Sequence, residues 1–161
     1  MSSVSYWGVL TFEPTKTQHM KLQLQTFIDI QATPKQVWSV FANFKAYPEW
    51  NPFITSVTGE VQKGKSIAAR IDGKIMKPTI LVREENHRLE WLGHLGIPGL
   101  FDGQHGYEVQ DLGNGLTRFT QREQFSGILI RFFKRYLQND VREGFDQMNR
   151  ALKARVESGL N

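Results

Sequence analysis

One long amphipathic helix, from about residue 128 to residue 157, ends this sequence, and every strand before it needs that helix as a cover. On a helical wheel Ile130, Leu137, Val141, Phe145, Met148 and Leu152 fall within about 40° of one line. Gly144 lies at the edge of that stripe, where a missing side chain allows close approach to a sheet. Phe132 points nearly opposite the stripe, Leu129 and Tyr136 leave it, and Lys134 falls inside it. The first two turns therefore depart from the core pattern. They read as a separate helical piece breaking near Lys134 that gates an opening, or as an exposed contact face flanked by Arg131 and Arg135.

The segments before the helix are short and alternate. In residues 22–32, Leu22, Leu24, Thr26, Ile28, Ile30 and Ala32 share one side of a strand, with Phe27 the apolar exception on the other. A helix start follows at once: Thr33 as N-cap, Pro34 at the first helical position, and Gln36 completing a capping box. Val37, Trp38, Val40, Phe41 and Phe44 then recur at helical spacing. Pro48 and Pro52 limit the next stretch to a short turn, with Trp50 and Phe53 beneath it and Asn51 as a turn or cap residue. Strands are expected at about 54–61, 65–72, 76–84, 88–95, 101–111 and 115–125, separated by turn-rich "QKGK", "DGK", "EENH", "IPGL" and "LGN". Consecutive strands with short turns imply an antiparallel meander. A strongly curved sheet of this kind, gripping one helix, leaves a space between them.

Composition narrows the function classes. The 161 residues are 40% hydrophobic and 22% charged, which is ordinary for one globular domain. No cysteine is present, which excludes disulfides, thiolate metal sites and cysteine nucleophiles. No run approaches the ~20 apolar residues of a membrane span. Glu13, Pro14 and Lys16 interrupt any signal-peptide core, so a cytoplasmic protein is expected. Residues 1–19 read as an N-terminal extension, or as a strand of their own, ahead of a domain over 20–161. The net charge of +4 is modest, and "RFFKRY" at 131–136 reads as a solvated helix face rather than a nucleic-acid stripe.

The last hairpin carries the chemistry. With a three-residue loop, Asp111 pairs with Gly115, Tyr107 opposes Phe119, His105 opposes Gln121, and Gly103 opposes Glu123. Phe101, Tyr107, Phe119 and Phe125 then share a face with His105, Gln121 and Glu123, and His105 is a diagonal neighbour of Glu123. Apolar walls with a few polar atoms are what a small-molecule site needs. Trp91 joins that wall from the preceding strand, or packs in the core. His105 and Glu123 read as ligand contacts, as a buried structural pair, or as wet residues near an open end. No H-E-x-x-H, G-x-G-x-x-G, P-loop or nucleophile elbow occurs, so no metal and no cofactor is expected.

"IDIQATPKQVWSVFANFKAYPEWNPFI" (28–54) resembles the opening of the START-like, or SRPBCC, superfamily, also called polyketide cyclase/dehydrase-like. "LEWLGHLGIPGLFDGQHGYEV", "GLTRFTQREQFSGIL" and "GFDQMNRALKARVE" resemble its later strands and terminal helix, so the resemblance spans roughly 22–157. It implies an α+β helix-grip fold, in which a curved antiparallel sheet wraps a long C-terminal helix around an internal cavity. It also implies a small hydrophobic or amphipathic ligand, carried or sensed. An enzyme of cyclase or dehydratase type using His105, Glu123 and Tyr107, or an interaction module of the chaperone-activator kind, are the competing expectations. The partner expected is a small hydrophobic molecule, with no nucleic acid, no stable membrane insertion, and weak self-association through Phe132 and Tyr136.

Overall fold

A computed structural model describes residues 21–159, so the readings of residues 1–19 lie outside the described residues. The chain opens with β1 (Lys21–Ile30), then α1 (Pro34–Phe41), a single tight helical turn (Phe44–Ala46) and the short α2 (Tyr47–Trp50). The expected capping box is present: the Thr33 hydroxyl accepts from the Gln36 N–H, and the Gln36 side chain accepts from the Thr33 N–H at 2.9 Å. Asn51 makes the turn after α2, its carboxamide oxygen accepting from the N–H groups of Phe53 and Ile54.

The strand run differs from the expected meander. It contains β2 (Ile54–Thr58), β3 (Ala68–Ile71), β4 (Lys74–Met76), β5 (Thr79–Glu84), β6 (Arg88–His94), β7 (Asp102–Gly113) and β8 (Leu116–Ser126). The expected turn at "DGK" is present, with Asp72 and Gly73 at positive φ, but the expected strand at 76–84 is divided: β4 ends at Met76 and β5 begins at Thr79, on either side of Pro78, which has no N–H to give to a ladder. The strands divide into a five-stranded sheet, β1-β8-β7-β6-β5, and a three-stranded one, β2-β3-β4, linked by a bridge between Ser66 and Thr79. All the pairings are antiparallel, and β1 closes the larger sheet by pairing with β8 along its whole length.

The register of the last hairpin is the second correction. Asn114 (φ 53°) and Gly115 (φ 71°) form a two-residue turn, and Gly113 pairs with Leu116. A bulge between Asp111 and Gly113 takes up the odd residue. Each expected partner moves by two, so His105 lies directly opposite Glu123, Tyr107 opposite Gln121, and Gly103 opposite Phe125. An even shift keeps every side chain on its expected face.

The terminal helix runs as α3 (Ile130–Tyr136), a wide π turn (Leu137–Val141) and α4 (Arg142–Ser158), without the break expected near Lys134. Ile130, Leu137, Val141, Phe145, Met148 and Leu152 are all buried, as the wheel predicts. The π turn holds an extra residue, which rotates everything before it relative to α4. That rotation carries Lys134 out to solvent and brings Phe133 and Tyr136 toward the sheet. Phe132 stays outside at 66% exposure and does not reach the interior. The close approach at Gly144 is made by Phe53, not by the sheet: a Cβ there would meet the Phe53 ring at 2.2 Å.

Phe145 is fully buried, its ring 5.6 Å from Phe53 and 4.7 Å from His105, so Phe145→Ala should cost about 3–5 kcal/mol in urea unfolding. Phe132→Ala should change the same midpoint by less than about 0.5 kcal/mol. Gly144→Ala should cost about 1–3 kcal/mol by overpacking, and Phe53→Leu should recover part of that loss in the double variant.

Candidate functional site

The inner face of the five-stranded sheet is filled differently along its length. At one end α1 lies on it. The Phe41 ring sits 4.9 Å from Tyr107 and 5.1 Å from Phe119, with Trp38 5.4 Å behind. Tyr107 and Phe119 are thus core residues beneath α1, and neither lines the apolar cavity at the other end of the sheet. Local sequence ties α1 to that position: Pro34 follows four residues after β1 ends, so the helix folds back over the strand it has just left.

In the middle, α4 meets the sheet through amides. Gln121 Nε2 donates to the Phe145 carbonyl (3.1 Å) and to Asn149 Oδ1 (2.7 Å), and Asn149 Nδ2 donates to the Thr26 hydroxyl (3.0 Å). With its amide hydrogens used, Gln121 presents its oxygen to His105 Nε2 at 3.2 Å. Nε2 therefore carries the imidazole proton, and Nδ1 is left with a lone pair. The Tyr107 hydroxyl lies 3.4 Å from Nδ1 and the Glu123 carboxyl 3.5 Å from it. Gln121 is a bridge between sheet and helix, not part of a cavity wall. Asn149 gives no signal in the sequence, since an isolated polar residue in a helix ordinarily faces water.

At the far end neither helix covers the sheet, and a cavity of about 170 Å³ remains. Trp91, Phe101 and Phe125 form its aromatic wall, with Met76 from the smaller sheet, Pro78 from the link between β4 and β5, and Leu137 and Val141 from the π turn. His105 and Glu123 form its polar end. Of the eight residues singled out in the sequence, the structure brings Trp91, Phe101, His105, Glu123 and Phe125 to this cavity, and places Tyr107, Phe119 and Gln121 away from it. Gly103 makes room for the carboxyl: a Cβ there would lie 2.6 Å from Glu123 Oε1.

Burial sets the charge of the polar end. Removal from water pushes the Glu123 carboxyl up to about 8, so it is protonated at neutral pH. The same desolvation lowers His105 to about 3, against the opposing pull of the Gln121 oxygen, so the imidazole is neutral. The result is an acid and a lone pair side by side in an apolar wall. Such a pair can donate a hydrogen bond, accept one, or move a proton. Among the described residues no group of three His, Asp or Glu side chains could hold a metal ion.

The mouth of the cavity lies between the β3–β4 turn, the 95–101 loop and α3, where Asp72, Lys74, Leu95 and Phe133 are exposed. The Tyr136 hydroxyl donates to Asp72, and Lys74 Nζ reaches the same hydroxyl at 3.4 Å. Tyr136 is therefore turned to the mouth and away from the outer face that Phe132 occupies. His94 stands outside with Nδ1 2.6 Å from Asp102. No described helix is long and apolar enough to cross a membrane.

Comparison with solved structures finds the same fold at low sequence identity. Norcoclaurine synthase from Thalictrum flavum superposes with a TM-score of 0.72 at 10% identity, over 91% of this chain and 100% of that one. The Zhui aromatase/cyclase from Streptomyces sp. R1128 gives 0.71 at 14%, over 88% and 97%. A START superfamily protein from Mycobacterium smegmatis gives 0.63 at 17%, over 87% and 98%. No curated protein matches the chain in sequence. The family model described as polyketide cyclase/dehydrase and lipid transport matches residues 21–157, and the helix-grip chain described above belongs to that family.

Proposed function

We propose that the protein binds a small, uncharged, largely apolar molecule of about one ring, anchored by a single polar group, and carries or senses it. The observation that supports this most is the cavity itself: about 170 Å³, walled by Trp91, Phe101 and Phe125, with polar atoms only at one end. A dry cavity of roughly 150 Å³ takes up benzene, so the scale is that of one aromatic ring. Glu123 as a neutral acid and His105 Nδ1 as an acceptor suit a hydroxyl or a carbonyl. An ionised carboxylate ligand would meet no cation at that end, and burial would oppose it.

A second reading is acid–base catalysis in the same cavity. The observation that favours it is the 3.5 Å separation of a buried carboxyl from an unprotonated imidazole nitrogen, two groups whose surroundings push their proton affinities apart. Conversion of a bound phenol or cyclic ketone that stops in Glu123→Gln while binding persists would select this reading. Binding without conversion would select carriage.

Binding is tested with p-cresol and cyclohexanone by ligand-observed NMR. The wild type should bind reversibly, one molecule per chain. Gly93 faces the cavity with only ordinary contacts around it, so Gly93→Val should fill the space and abolish binding without loss of fold. A wild type that binds no single-ring compound, or a Gly93→Val that binds as well as wild type, would overturn the proposal.

The buried pair also sets a pH profile. The folded value of Glu123, about 8, lies above its ordinary 4.5, so its favourable contribution is complete below pH 4.5 and lost as the pH rises toward 8. The folded value of His105, about 3, lies below its ordinary 6.5, so stability is lost as the pH falls from 6.5 toward 3. The two slopes cancel between 4.5 and 6.5. Urea unfolding should show a plateau there, with a loss on the order of a few kcal/mol by pH 9. Glu123→Gln should abolish the alkaline loss and leave the acid one.

A further inference from the structure

Eight large apolar side chains are exposed among the described residues; Leu95 and Phe133 line the cavity mouth, and Ile75, Ile97, Ile128 and Phe132 lie on or next to the same segments that frame it. The segments that carry them form one rim. The 95–101 loop is bonded to the start of α3, Ile128 N–H to the Gly99 carbonyl at 3.3 Å and Leu129 N–H to that of Leu100 at 3.1 Å. Phe101 and Phe133 pack ring to ring at 5.6 Å. The β3–β4 turn joins through Asp72, Lys74 and Tyr136.

The rim is also basic. Residues 72–77, 94–102 and 128–136 hold five Lys or Arg against two Asp, so most of the chain's net charge of +4 is concentrated here. Both carboxylates are engaged, Asp72 by Tyr136 and Lys74, and Asp102 by His94 and the Gly99 N–H at 2.8 Å. The Arg131 guanidinium lies over the exposed Phe132 ring, 4.5 Å from its centroid, so a cation and an aromatic share one site on the rim.

Charge decides what such a rim can meet. A second copy would bring the same excess of cations against it. Residues 1–20 carry one Glu and one Lys, and offer no net negative charge. We infer that the rim docks on the surface of an anionic phospholipid bilayer, with Ile97, Ile128 and Phe132 seated among the headgroups and the cavity mouth facing the lipid. Apolar tips ringed by Lys and Arg bind such surfaces by burial and by attraction together. Docking of this kind is peripheral. It explains why the apolar exposure is concentrated on the segments that frame the opening, and it holds whatever molecule the cavity takes.

The test is co-sedimentation of the full chain with two sets of vesicles, pure phosphatidylcholine and phosphatidylcholine mixed with phosphatidylglycerol. Binding should be at least about tenfold stronger on the mixed vesicles and should weaken as salt is raised. Ile97→Asp with Phe132→Asp should remove it at an unchanged melting temperature, because both side chains are already in water. Phe27→Asp, exposed away from the rim, should bind like wild type, and so should Gly93→Val, which separates docking from occupation of the cavity. Equal affinity for neutral vesicles, binding that survives the double substitution, or no binding would overturn the inference. So would a dimer in sedimentation velocity that Phe132→Asp dissolves, which would make a second copy the occupant.

Discussion

The Gln121 side chain holds the interior in place. It is fully buried, and each of its polar atoms is committed: the amide hydrogens to Phe145 and Asn149 on the terminal helix, the oxygen to His105 on the neighbouring strand. Burying an amide is costly unless every hydrogen bond is made, so the helix can sit on the sheet at only one depth and rotation. That position leaves the far end of the sheet uncovered. It also orients the imidazole, so that its proton faces the core and its lone pair lies between the Tyr107 hydroxyl and the Glu123 carboxyl at the cavity's polar end. The chemistry of the polar end therefore depends on a residue that does not touch the cavity.

The cavity is a consequence of two covers that both stop short of one end of the sheet. α1 fills the end of the sheet over Tyr107 and Phe119, and α4 the middle. Ahead of α4 the chain takes a wide π turn, and α3, which precedes that turn, lies at the mouth with Phe133 and Tyr136 on its cavity side. A regular helix would have placed Lys134 there instead. A local irregularity in one helix thus decides whether the opening is lined by aromatic rings or by an ammonium group.

Much of this was legible beforehand. The period-two face of β1, the Thr33–Gln36 capping box and the buried stripe of α4 depend on spacing between near neighbours, and local spacing is what a sequence displays directly. The inward face of the last hairpin was legible for the same reason. Its register was not: "LGN" and "NG" offer two turns of different length, and the bulge near Leu112 selects the shorter one. Because the two differ by an even step, the faces survived the error while the partner of Glu123 changed from Gly103 to His105.

The sequence by itself determined the element types, the inward set of side chains and the family resemblance, because each follows from periodicity or from a contiguous motif. Tertiary structure alone decided which of those inward residues meet open space. Phe119 and Phe125 read alike on one strand, yet one is plugged by Phe41 from α1 and the other faces the cavity. Nothing in either residue's neighbours along the chain distinguishes them. The difference lies in how far each helix reaches across the sheet, and that is set by the buried contacts of Phe41, Gln121 and Asn149 with residues distant in sequence.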